Sequence, residues 1–223
     1  FDTVDLPGDA QGEPLGRMVP AGALQAALDT VAADEPNLTW WRNTRFAGLT
    51  TGPASAHITM EDGRTVAAGL VAACDGVNSG VRKALGITTE GRAYGKSVFA
   101  ADVKLSRPHE GLARQLFTPE GPFATLPLPG NRANLAWYMK TGAAEAKAKQ
   151  PVEAIEAELN ARFSDFAGKM TLDGPHLAYP LHLQLATRLV AQRGALMGDA
   201  AHRINPLAGQ GINLGFKDVG ALI

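Results

Sequence analysis

The stretch running from Gly198-Asp199 through Pro206, Gly209, Gln210, Gly211, Ile212, Asn213 and Gly215 to Asp218 constrains this chain more than any other. Before it, Gly194 to Gly198 is an apolar run too short for a helix, which predicts a buried strand ending at a carboxylate. A loop with Pro206 and three glycines follows, and Leu214, Val219 and Leu222 then recur at helical spacing, predicting a helix within 209–223. A carboxylate at the carboxyl end of a strand can accept hydrogen bonds from a sugar diol. Gly209, Gly211 and Gly215 leave room for a flat ligand to approach the backbone. The first turn of the helix offers unpaired N–H groups and partial positive charge.

A second stretch has the same logic. Leu70 to Cys74 is an apolar run predicted to be a buried strand, and Asp75-Gly76 ends it. Ser79 is placed to cap a helix starting near Val81. Arg82 has two readings, a clamp on phosphate or a brace that holds the loop by pairing with a carboxylate. Cys74, the single cysteine, is expected to be a small core residue rather than a nucleophile.

Elsewhere the pattern changes along the chain. Residues 1–19 are rich in Gly, Pro and Asp. Pro20 suits the first turn of a helix carrying Leu24, Leu28 and Val31, which Glu35-Pro36-Asn37 stops. Asn37 to Phe46 is expected to be a strand, and His57–Met60 with Thr65–Ala67 a hairpin turning at Asp62-Gly63. From 92 to 183, strands are expected at Val98–Leu105, Arg114–Phe117, Phe123–Leu128, Asn134–Met139 and Leu177–Leu183, forming a mainly antiparallel sheet. Pro151 to Phe163 is predicted as an amphipathic helix with Val152, Ile155, Leu159 and Phe163 on one face. Ala143–Lys149 is only an Ala/Lys-biased stretch.

With 21 basic and 22 acidic residues and a net charge of −1, nothing points to a nucleic-acid partner. A single cysteine excludes an intrachain disulfide framework and fits a reducing compartment. No apolar run reaches about 18 residues, the length of a spanning helix. His57, His109, His176 and His182 are scattered, so no metal site is expected. His202 is expected to bond within its own loop rather than serve as a general base.

Asp75-Gly76-x-x-Ser79-x-Val81-Arg82 and the segment Gly198-Asp199 to Asp218 resemble the paired Asp-Gly and Gly-Asp motifs of the FAD-dependent aromatic hydroxylases, a flavoprotein monooxygenase family. Pro206 through Gly215 with Asp218-Val219, together with Tyr179-Pro180-Leu181 and Arg193-Gly194, is similar to its ubiquinone-biosynthesis subgroup. The resemblance implies an α/β (α+β) fold. It would combine an FAD-binding Rossmann-like domain (residues 1–91 and 184–223) with a mainly antiparallel substrate domain (92–183) covered by helices. Members open with a strand, a Gly-x-Gly-x-x-Gly turn and a helix that hold the ADP phosphates. This sequence has no such element, so the resemblance implies an incomplete FAD-binding domain, truncated at both ends, with activity expected of the parent rather than of this segment.

The resemblance further implies that Asp199, after Gly198, binds the FAD sugar region. Pro206, Gly209, Gln210, Gly211, Ile212 and Asn213 would line the flavin ring, and Pro206 and Gly211 would lie nearest the chemistry. Asp75, with Gly76 and Arg82, would lie near the pyrophosphate and the path of NAD(P)H. In this family NAD(P)H reduces the flavin, oxygen adds at flavin C4a, and the terminal oxygen passes to an aromatic ring; the protein orients and excludes water. Helix N-terminal amides aimed at the reduced ring would stabilise its negative N1–C2 edge.

A hydrophobic, polyprenylated phenol would be the substrate, with peripheral contact on the inner membrane surface of an otherwise cytoplasmic protein. A quinone-biosynthesis complex and a homo-oligomer are further expected partners. The substrate would lie between the sheet and the flavin loop, with Phe117, Phe123, Leu126, Leu128 and Tyr138 as candidate walls on a face the sequence does not fix. Two alternatives stay open: a hydroxylase of a small phenol or polyketide, and a non-catalytic scaffold of the quinone pathway.

Overall fold

A computed structural model describes residues 16–206 and 209–223. Most of the Gly/Pro/Asp-rich opening, residues 1–15, and Leu207 and Ala208 of the glycine loop lie outside the described residues. The mixed α/β architecture with antiparallel sheets expected from the sequence is what the chain adopts. It divides into two compact units. One holds residues 16–39 and Ser97–Tyr179; the other holds Trp40–Lys96 and Pro180–Ile223. Residues 16–39 thus group with the sheet unit. Their helix α1 (Ala21–Asp34) buries none of its residues, so its apolar spacing carried no information about a partner.

A six-stranded sheet lies mostly in the sheet unit, with its shortest strand, His202–Arg203, and the ends of two long strands belonging to the other. In chain order its strands are β5 (Thr89–Leu105), β6 (Arg114–Phe117), β7 (Pro122–Leu128), β8 (Arg132–Lys140), β9 (Met170–Ala186) and β12 (His202–Arg203). Their spatial order is β12-β9-β5-β8-β7-β6. Strand β8 alternates half-buried and buried residues along its length, as period-two side chains require when one face is packed. Its odd positions, Ala133, Leu135, Trp137 and Met139, enter one core with Phe99, Val103 and Phe123. Helix α4 (Val152–Ala167) closes that core through Ile155, Leu159, Phe163 and Ala167. Val152, expected on the same face, is 42% exposed because it is the first helical residue and its side chain lies beyond the core's edge.

The core is bound by aromatic geometry. Phe123 stacks on Phe163 with centroids 3.7 Å apart, and Trp137 stands edge-on to Phe163 at 5.1 Å. The Ala/Lys-biased stretch is helix α3 (Ala143–Ala148). It delivers Lys147 to within 4.7 Å of the Trp137 ring, where its ammonium also pairs with Glu158. Arg162 lies over the same ring at 4.9 Å. A buried ammonium is costly unless paired, and here a carboxylate and a π face compensate it together.

The other unit carries an antiparallel meander of β1 (Phe46–Thr51), β2 (Ala56–Met60) and β3 (Thr65–Ala68), with the expected turn at Asp62-Gly63. Gly63 has φ +85°, and Asp62 accepts a hydrogen bond from the Arg64 amide at 3.1 Å. The strand expected across 37–46 does not form; only Phe46 joins β1. Asn43 turns the chain with φ 55°, and Trp40 and Trp41 stack under Arg42 and Arg64 instead of entering a ladder. The same unit holds β4 (Val71–Ala73), α2 (Gly80–Ala84), β10 (Val190–Ala191), β11 (Gly194–Leu196) and α5 (Gln210–Leu222).

Phe163→Ala should cost about 3–5 kcal/mol in urea unfolding, whereas Phe117→Ala, at a position 76% exposed, should stay within about 0.5 kcal/mol. Two glycines should separate as sharply. A Cβ at Gly91 would meet the Leu183 carbonyl oxygen at 2.0 Å, backbone against backbone, while one at Gly63 meets nothing. Gly91→Ala should abolish cooperative unfolding or lower stability by more than about 3 kcal/mol, and Gly63→Ala should cost only about 1 kcal/mol for its positive φ.

Candidate functional site

Strands β4 and β11 pair in parallel, with Gly194 opposite Val71, Ala195 opposite Ala72 and Leu196 opposite Ala73. The Met197 amide then donates to the Ala73 carbonyl at 3.0 Å. Both strands therefore end at the same level, and Asp75-Gly76 and Gly198-Asp199 leave them side by side. The carboxyl ends of adjacent parallel strands are where α/β sheets bind ligands.

The Asp75 loop is built by its own polar groups. Asp75 Oδ2 accepts the Val81 amide at 3.1 Å, and Ser79 Oγ accepts the Arg82 amide at 2.9 Å, so both satisfy donors in the first turn of α2. Gly76 adopts φ +81°. Arg82 is only 5% exposed. Its guanidinium donates to the Ala200 carbonyl at 2.9 Å and to the Val77 carbonyl at 2.8 Å. Of the two readings of Arg82, these contacts realise the brace, but onto carbonyls of both motif loops rather than a carboxylate.

On the other strand, Gly198–Ala200 forms a single 3-10 turn with Gly198 at φ 56°. Asp218 Oδ2, from α5, accepts the Gly198 amide at 2.7 Å and lies 2.7 Å from His202 Nε2. His202 is thus bonded within its motif, as expected. Gly215, one turn before Asp218, abuts Gly198: a Cβ there would lie 3.5 Å from the Gly198 Cα. Asp199 is exposed, and among the described residues its carboxylate has no donor.

These elements enclose a cleft of about 490 Å³. It brings together Gly76, Gly198, Asp199, Gly211 and Ile212, all expected at the site, with Gly215. A Cβ at Gly76, Gly198 or Gly211 would meet nothing within 4 Å, so open space lies against bare backbone at three points. Its other walls, Cys74, Met197, Phe216 and Val219, were not singled out as site residues. The signal for two of them was in the sequence, since Ile212, Phe216 and Val219 recur at helical spacing. Cys74 is not the core residue expected, because β4 stops at Ala73 and leaves it exposed on the cleft. Burial, then the charges of Asp75 and Asp218, push its thiol pKa up, which favours the protonated thiol.

Asp75, Arg82, Pro206, Gly209, Gln210 and Asn213 do not line this cleft. Asp75 and Arg82 support it from behind. The Pro206 carbonyl accepts the Gly209 amide at 3.1 Å, closing a turn before α5, and Gln210 and Asn213 are exposed on the helix's first turns. A second, more polar cleft of about 540 Å³ adjoins the Asp75 loop at Val77 and Asn78 and carries Glu90, Arg92, His182 and Arg203.

In the sheet unit, pairing separates the five candidate wall residues. Phe123 faces Trp137 in register and is fully buried in the core, so it walls no cavity. Leu126, Leu128, Phe117 and Tyr138 fall on the opposite face, with Ala124 and Ala136 between them. Burial, with a smaller contribution from Tyr179, pushes the Tyr138 phenol pKa up. Among the described residues no cluster of three metal-ligating side chains exists, and no helix is long and apolar enough to cross a membrane.

Because Arg82 satisfies two carbonyls at once, Arg82→Met should destabilise the unit by about 2–4 kcal/mol, read by chemical unfolding, with Arg82→Lys recovering only part of the loss.

The sequence matches the model of a family described as "FAD binding domain" over residues 10–223. It is 40% identical over 214 residues to a ubiquinone hydroxylase, UbiL, of Rhodospirillum rubrum, covering 96% of this chain and 50% of that protein. It is 35% identical to the 3-demethoxyubiquinol 3-hydroxylase of Escherichia coli, covering 94% of this chain and 53% of that protein. The chain thus spans about half the length of these curated relatives. Among solved structures, PqsL from P. aeruginosa superposes with a TM-score of 0.77 at 23% identity, covering 91% of this chain and 58% of that one. The p-nitrophenol 4-monooxygenase PnpA from Pseudomonas putida superposes with a TM-score of 0.69 at 21% identity, covering 90% and 51%. At such identities these two likenesses speak to fold alone. With the family model spanning nearly its whole length, the chain belongs to the FAD binding domain family.

Proposed function

We propose that this chain carries the flavin cradle and substrate sheet of an FAD-dependent monooxygenase that hydroxylates an aromatic ring in ubiquinone biosynthesis. The observation that carries the reading is the cleft in which a free carboxylate, Asp199, faces bare backbone at Gly76, Gly198 and Gly211. The residues fit the group. Asp199 is placed to accept hydroxyls of the flavin's sugar or ribityl chain, and the glycines admit a flat ring that any side chain would displace. Ile212, Phe216 and Val219 offer apolar wall to the same ring. When bound, the flavin supplies the redox and oxygen chemistry, and the chain supplies orientation.

NAD(P)H is the proposed reductant. The polar cleft beside Val77 and Asn78, with the guanidinium groups of Arg92 and Arg203, suits a phosphate-bearing molecule. A polyprenylated phenol is the proposed substrate, supported by the two relatives named for ubiquinone-pathway hydroxylation and by the apolar half of the sheet face bearing Phe117, Leu126, Leu128 and Tyr138. Peripheral contact with the inner membrane surface, a quinone-biosynthesis complex and a homo-oligomer are parts of the same reading and follow from such a substrate rather than from any described contact.

The test is direct. FAD titrated into the full-length protein should bind and quench its fluorescence, and NAD(P)H oxidation should there be stimulated by a phenol. Asp199→Ala should weaken FAD binding about tenfold to a hundredfold, the worth of one or two hydrogen bonds to a carboxylate, with unfolding stability little changed. Gly211→Val should weaken it comparably by filling the open space. Equal FAD affinity in all three proteins would remove the cleft as the site.

A further inference from the structure

The turn that carries Asp199 is held on both sides by one oxygen. The parallel ladder stops at Met197, whose amide donates to the Ala73 carbonyl. Gly198, the next residue, is left-handed at φ 56°, and its amide donates to Asp218 Oδ2 at 2.7 Å. Three residues past Asp199, His202 Nε2 lies 2.7 Å from the same Oδ2. An ionised carboxylate only accepts, so the ring nitrogen is the donor, and the neutral imidazole is held with its proton on Nε2. Both side chains are largely shielded from water, His202 at 13% and Asp218 at 20% exposed. A hydrogen bond to a charged acceptor in such a setting is stronger than a neutral one in bulk water.

The turn between these anchors is compact. The Ala201 amide bonds back to the Gly198 carbonyl at 2.9 Å, and Ala200 and Ala201 are buried. From Gly194 to Pro206, Asp199 is the only exposed residue. Asp218 belongs to α5, whose Gly211, Ile212, Gly215, Phe216 and Val219 wall the 490 Å³ cleft, so the same oxygen ties that wall to the turn. Neither His202 nor Asp218 lines the cleft itself. We infer that His202 and Asp218 are positioning residues for Asp199. Their shared hydrogen bonds fix the direction in which its carboxylate enters the cleft, and so remove in advance the disorder that binding a hydroxylated ligand would otherwise have to quench. The inference rests on the reading of the cleft as a flavin site and adds two residues that act on the flavin through a third. A support of the fold at large and a positioning pair differ in how their loss combines with the loss of Asp199.

The experiment is a double-mutant cycle in FAD affinity on the full-length protein, followed by quenching of flavin fluorescence, with wild type, His202→Leu, Asp199→Ala and the two combined. His202→Leu should weaken FAD binding about threefold to tenfold, and in the Asp199→Ala background it should weaken it no further, because the residue it positions is gone. Should the leucine variant not fold, Asp218→Asn takes its place in the cycle. It keeps an oxygen for both donors but loses the charge, and should show a smaller loss, about twofold to threefold, with the same dependence on Asp199. The inference is overturned if the variant used binds FAD as tightly as wild type. It is overturned equally if the two losses multiply, which would make the pair a general support of the fold. Those two outcomes strike the inference alone. A wild type that takes up no FAD, or an Asp199→Ala protein that binds it unweakened, overturns the flavin reading of the cleft and the inference together.

Discussion

Three parallel residue pairs, Val71–Gly194, Ala72–Ala195 and Leu196–Ala73, hold the candidate site together. The two strands are more than a hundred residues apart in sequence, and nothing local brings their ends to one level. Once paired, they fix where two carboxylates and two glycine turns emerge, and the cleft follows. Parallel pairing is weak per residue, and these strands are three residues each. The brace of Arg82 onto Ala200 and Val77 explains how so short a ladder keeps its ends in place. One buried guanidinium spans the two loops at the point where the ladder has stopped.

The motif residues consequently fall into two groups. Asp199, Gly198, Gly76, Gly211 and Ile212 face the cleft. Asp75, Ser79, Arg82 and Asp218 face the protein, and each spends its polar atoms on backbone amides or carbonyls. Two aspartates that look alike in sequence therefore do opposite work. Asp75 caps a helix, while Asp199 has no donor among the described residues. The difference follows from what comes next in the chain: a glycine and a capping serine let the backbone fold back onto Asp75, whereas after Asp199 the short turn Gly198–Ala200 leads the chain onward to β12.

Much of this was legible in the sequence because local rules acted alone. The hairpin at Asp62-Gly63, the strand at 114–117, the helix from 152 and the helix after Gly209 each carry their own period and punctuation. The misses share a cause in tertiary context. Trp40 and Trp41 have strand propensity, yet Arg42 and Arg64 offer stacking that no propensity scale includes. Ala143–Ala148 lacks apolar spacing, and its helix is set by Lys147 reaching Trp137 and Glu158. Cys74 sits at the end of an apolar run, but the run ends at a cleft rather than in a core. Which face of β7 is buried was undecidable from alternation alone. It is settled by the partner helix, because Phe163 can stack on Phe123 only if Phe123 turns toward α4.

Electrostatics give the cleft a direction. Burial first, and then the carboxylates of Asp75 and Asp218, raise the Cys74 thiol pKa, so two negative charges lie near the strand ends. A ligand that gains negative charge on reduction would be disfavoured there unless its charged edge turned away. The opposing field comes from the first turn of α5, which Gly209 enters from the left-handed region and which carries the partial positive charge of a helix N-terminus. The cleft is therefore polarised, with carboxylates at the strand ends and a helix N-terminus across from them. On the proposed flavin reading, a molecule with a hydroxylated tail and a ring that can become anionic would be oriented by that gradient, tail toward Asp199 and ring toward Gly211.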